Sequence, residues 1–172
     1  KANGDEIHWL IATDIKESDG FELEQIMERD IEIKAVEKFF GFNSINRLGL
    51  STTRVDEYSA SELINRISTI INKIKANIVY LPYKYDIHSD HGHIFDAAYS
   101  CTKSFRYPFI KKGYMMEVLS ETEFSVNIQG SGFVPNVFVD VSDYINQKIE
   151  AIKIYKSEIG EHPFPRSERN VR

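Results

Sequence analysis

The chain has 172 residues, 42% hydrophobic and 27% charged, which is enough apolar content for one globular domain with a real core. A net charge of -5, with basic residues scattered apart from short pairs such as Lys111-Lys112, argues against a nucleic-acid partner. No apolar stretch reaches the roughly 18 residues of a membrane span, and the one cysteine, Cys101, excludes an internal disulfide and zinc-finger spacing and fits a reducing cytoplasm.

Lys1-Ala2-Asn3-Gly4-Asp5 reads as the end of a helix with Gly4 as its C-cap, so the chain is expected to open partway through a fold. Ile7 to Thr13 is a continuous apolar run of the kind found in an interior parallel strand; His8 within it reads as a sheet-face or core residue. From Glu22 to Phe40, apolar residues recur at helical spacing among Glu and Lys, with Gly41 as the stop. Asn46 to Leu50 is a short second strand, and a loop through Tyr58 follows.

Ser59, with Glu62 three residues on, is a capping box that opens the clearest helix of the chain, whose stripe is Leu63, Ile64, Ile67, Ile70, Ile71 and Ile74. Asn77 to Pro82 has the length and β-branched content of a buried strand, and Ile94 to Cys101 reads as a helix. Strand and helix thus alternate three times. The order predicts an α/β fold: a Rossmann-like three-layer αβα sandwich with a mostly parallel sheet. Two later strands are expected at Tyr114–Leu119 and Phe133–Val141, then a helix from Ser142 or Asp143 through Ile159 and an irregular tail from Gly160.

Between the third strand and its helix lies Asp86-Ile87-His88-Ser89-Asp90-His91-Gly92-His93, which holds three of the five histidines and two carboxylates. The loop beyond a strand's carboxyl end is where open α/β sheets place their active sites. Imidazole and carboxylate are the usual ligands of catalytic zinc. From the residues alone Asp90 is either a helix cap or part of a site. The run cannot easily supply three ligands at once, so others must come from elsewhere. It is one substitution from the His-x-His-x-Asp-His signature of metallo-β-lactamase-fold hydrolases, but that fold requires a strand-rich upstream region that this chain lacks.

His88-Ser89-Asp90-His91 is more similar to the His-Pro-Asp-His loop of the PIG-L/LmbE-like superfamily of zinc-dependent de-N-acetylases. Ile7 to Asp14 resembles that family's second strand, and Arg29-x-x-Glu32 its Arg-x-x-Glu helix. Thr53 to Glu57, Ser120 to Glu123 and Phe133 to Ser142 resemble a bacterial sugar-deacetylase subgroup.

The resemblance implies His91 as a zinc ligand, His88 as the group that polarises the amide carbonyl or steadies the oxyanion, and Asp90 as the carboxylate that orients His88. It implies Arg29 as a substrate contact, although a surface pair with Glu32 one turn on explains Arg29 equally well. His93 matches no ligand. The family's first motif, a strand followed by His-Pro-Asp-Asp that carries two ligands and the general base, has no counterpart in this sequence. Residues 1–172 are therefore expected to form a single de-N-acetylase-like domain in fragment form, inactive alone, whose complete form removes an N-acetyl group from an amino sugar. The remaining Zn2+ ligands are expected upstream of Lys1. The alternatives are a non-catalytic carbohydrate- or nucleotide-binding module of the same fold, and a metal hydrolase acting on esters or phosphates. Homo-oligomerisation stays open.

Overall fold

The computed structural model describes residues 3–126 and 130–172. By packing, the chain divides into two compact units. One comprises Lys1–Ile7, Lys16–Ser44 and Val134–Arg172, the other His8–Ile15 and Ile45–Phe133.

The first unit is built on α1 (Leu23–Phe40) and α4 (Ile145–Ile154), which pack together. A capping box starts α1: the Glu22 N–H donates to Gln25 Oε1 at 2.9 Å, while the Glu22 side chain accepts from the Gln25 amide. Gly41 ends it in the left-handed conformation with φ 61°, where a Cβ is costly. Only Glu32, Ile33 and Val36 of α1 are buried. The Glu32 carboxylate accepts from the Lys156 N–H at 3.0 Å, a partner that a buried acid requires.

The second unit holds β1 (His8–Asp14), most of β2 (Ser44–Ser51), α2 (Ala60–Ile74), β3 (Ile78–Pro82), α3 (Ser89–Ser100) and β4 (Lys112–Met116). β3 pairs with β4 in parallel, with Tyr80 opposite Tyr114. β1 pairs with β2. The bonds flanking that pair, Asn43 N–H to the Ile7 carbonyl and Thr52 N–H to the Asp14 carbonyl, ascend together along both chains, as parallel strands require. Leu48 and Leu50 of β2, Leu81 of β3, Leu63 and Ile67 of α2 and Phe95 of α3 share one buried cluster, with Leu10 and Ala12 of β1 against it. Each fully buried aliphatic side chain, such as Leu50 or Ile67, contributes about 1.5–3 kcal/mol by leaving water. The mixed α/β class with parallel strands and flanking helices is as the sequence implies.

Several expectations are corrected. Ser59 caps α2 by accepting from the Glu62 N–H at 3.2 Å, but the Glu62 side chain binds Arg66 at 2.6 Å instead of closing the box. β4 begins at Lys112, because its five residues match the five of β3. Phe133–Val141 forms no strand: Val134, Phe138 and Val139 are exposed, and β-propensity alone does not make a strand where the side chains find no packing partner. The last long helix stops at Ile154, after a 3-10 turn at Ser142–Tyr144. The tail is not wholly irregular, since α5 (Glu168–Val171) buries Val171. Lys1 and Ala2 of the expected opening helix end lie outside the described residues, and Gly4 has φ 82°. No helix among the described residues is long and apolar enough to cross a membrane.

Candidate active site

β3 ends at Pro82, and the chain turns through Tyr83–Ile87 before α3 begins. His88 is the N-cap of α3. Its Nδ1 accepts from the Asp90 N–H at 3.2 Å, satisfying one of the donors that a helix start leaves free. Gly92 lies in the first turn, where a Cβ would come within 3.1 Å of the Lys84 carbonyl oxygen, so a small residue lets the helix start lie against the preceding loop.

One helical step on, His91 stacks against His88 with ring centroids 5.0 Å apart and planes 15° from parallel. The His91 Nδ1 lies 2.7 Å from Oδ2 of Asp86. Asp86 is buried, and its other oxygen accepts from the Thr122 hydroxyl at 2.6 Å. Thr122 Oγ1 accepts in turn from the Val118 N–H at 2.8 Å, and the Ile87 N–H donates to the Glu121 carbonyl. The segment after β4 thus clamps the loop after β3. Beside Asp86 sits buried Tyr83, whose phenol donates to the Ser131 carbonyl. Burial pushes the Tyr83 pKa up, and the charges of Tyr85 and Asp86 add to it, so the phenol stays a donor.

Asp90 departs from its expected part. Its buried carboxylate accepts from the Thr53 N–H at 2.7 Å and the Val55 N–H at 3.3 Å, and only its amide touches His88. The chain leading into the 3-10 turn Val55–Glu57 presents the Thr53 and Val55 amides, and a buried acid settles where such donors converge. Asp90 thereby ties the end of β2 to the start of α3.

Arg29 belongs to the other unit, where it bridges Glu32 at 3.3 Å and Glu158 at 2.6 Å and lies over the Tyr155 ring. Asp86 is the residue that sequence reasoning left without a part. It stood in the histidine run, but its partner Thr122 is 36 residues away.

A histidine whose Nδ1 is held by a carboxylate is suited to offer Nε2 to a metal. The described residues nevertheless contain no group of three His, Cys, Asp or Glu side chains able to hold an ion. They do not by themselves fit the zinc that the resemblance implies.

The family model for GlcNAc-PI de-N-acetylase, PIG-L, matches residues 1–102, from the first residue to just past α3. The chain belongs to the PIG-L family. The match includes His88, Asp90, His91 and Arg29. Among solved structures, the PIG-L chain is similar to the conserved protein TT1542 from Thermus thermophilus, with a TM-score of 0.66 and 17% identity over 91% of this chain and 68% of that one. The likeness establishes a shared fold. Family membership supports a deacetylase-type hydrolase fold for the PIG-L domain.

Proposed function

We propose that residues 1–172 carry part of the active site of a zinc-dependent hydrolase that removes an N-acetyl group from an amino sugar or sugar conjugate. The observation behind this reading is the stacked pair His88 and His91 just beyond the carboxyl end of β3, in a chain of the PIG-L family. In this reading His88 hydrogen-bonds the acetamide oxygen as it gains negative charge during attack by water. His91 is one ligand of a zinc ion whose other ligands, with the general base, come from polypeptide outside residues 1–172. The resemblance gives Arg29 a substrate contact, and its guanidinium also pairs with Glu32 and Glu158.

The sheet supports the reading. Among the described residues β1 pairs only with β2 and β3 only with β4, although both pairs contribute to one core with α2 and α3. A further strand between β1 and β3 would join them into a single doubly wound sheet, with the histidine pair near its centre. On this reading residues 1–172 are part of a single de-N-acetylase-like domain and inactive by themselves. Acetate release by the natural polypeptide carrying these residues tests the proposal. Turnover of N-acetylated amino sugars supports it, and turnover confined to phosphate or carboxylic esters overturns it.

A further inference from the structure

The two stacked histidines are held by opposite kinds of partner. An amide N–H can only donate, so the Asp90 N–H at 3.2 Å requires a lone pair on His88 Nδ1. A neutral His88 then carries its proton on Nε2. Asp86 Oδ1 takes the Thr122 proton and its Oδ2 lies 2.7 Å from His91 Nδ1, so the side chain serves as acceptor on both oxygens, which places a proton on His91 Nδ1 and leaves the lone pair on Nε2. Asp86 is itself fixed. Its Oδ1 takes the Thr122 proton at 2.6 Å, and Thr122 cannot turn that proton elsewhere without giving up Asp86, while its oxygen is occupied by the Val118 N–H.

We propose that Asp86 and Thr122 are positioning residues that lock His91 in the Nδ1–H tautomer, opposite to the Nε2–H tautomer of His88. The relay runs from the Val118 amide through Thr122 and Asp86 to His91, and it joins the segment after β4 to the first turn of α3. Two parallel rings 5.0 Å apart thereby present one donor and one acceptor from their Nε2 atoms. Each tautomer is set by the group that meets Nδ1, and only the folded geometry shows that this is the Asp90 amide for His88 and the Asp86 carboxylate for His91. The functional meaning of this pairing rests on the hydrolase reading above, but the tautomers themselves do not.

The test is nitrogen-15 NMR of the imidazoles in the full chain after treatment with a chelator. It is run at about pH 8.5, roughly two units above the ordinary imidazole pKa. The wild-type chain is expected to show His91 protonated at Nδ1 and bare at Nε2, and His88 the reverse. Asp86→Ala removes the acceptor, and the Nδ1–H form of His91 should fall from the dominant species to a minor one while His88 is unchanged. Should Asp86→Ala fail to fold, Thr122→Val keeps the volume and removes the hydroxyl, and it should give His91 a mixture of both tautomers. A proton on His91 Nε2 in the wild type, or a His91 tautomer unmoved by either variant, overturns the proposal. Absent acetate release with these tautomers in place would instead count against the hydrolase reading alone.

Discussion

The carboxylate of Asp86 lies 2.7 Å from Nδ1 of His91, so a buried acid in the loop after β3 fixes a largely buried ring in the first turn of α3. Asp90, one residue before His91, reaches instead to the Thr53 and Val55 amides. The two acids of the histidine run therefore do different work. One holds an imidazole, and the other fastens the helix start to the loop after β2.

Replacing Asp90 with alanine leaves the Thr53 and Val55 amides without their charged acceptor. Two hydrogen bonds to a charged group are lost, so the chain should lose on the order of 3–6 kcal/mol of stability. Hydrogen exchange at Thr53 and Val55 should quicken first. Unchanged protection at both amides would contradict the part assigned to Asp90.

Leu50 is fully buried in the cluster that joins β2, β3, α2 and α3. Leu50→Ala should cost about 2–5 kcal/mol, the transfer of the lost methyl groups plus the cavity they leave. Urea unfolding measures it, and a loss well under 1 kcal/mol would mean that the strand pairs do not share this core.

In the helical unit, Tyr155 has its pKa pushed up to about 12, chiefly by burial, opposed by Arg29 and raised further by Glu32 and Glu158. A phenol whose folded pKa exceeds its unfolded value near 10 adds stability that is whole below pH 10. That stability is lost as the pH rises through about 12. The alkaline loss should be on the order of 1 kcal/mol after allowance for partial solvent screening, and Tyr155→Phe should remove it. Parallel pH–stability curves for wild type and variant between pH 9 and 12 would contradict this.

With His91 the one assigned ligand and no three-ligand group among the described residues, residues 1–172 should not retain stoichiometric zinc through dialysis. Metal analysis of the dialysed chain decides it. One zinc per chain would show that these residues complete a site by themselves.

The alternation from β1 to α3 was legible because its signals are local: the Ile stripe of α2, the Ser59 cap, the Gly41 stop and the apolar run of β3. The place of His88 and His91 at a strand's carboxyl end followed from that order. What escaped depended on groups distant in sequence. Asp86 acquires its role from Thr122, 36 residues on, and Asp90 from Thr53, 37 residues back. Phe133–Val141 has the β-branched and aromatic content of a strand, but whether such a segment pairs is decided by its tertiary surroundings, which composition does not reveal. α5 is a single short turn around Val171, too short for any periodicity.

If His88 acts on the carbonyl oxygen of an N-acetyl group, acetate release from an N-acetylated amino sugar will separate the natural polypeptide from its His88→Ala variant. Turnover should fall about 100-fold or more while bound zinc is retained, the scale of losing one oxyanion donor. Unchanged turnover would remove His88 from the mechanism and contradict the account.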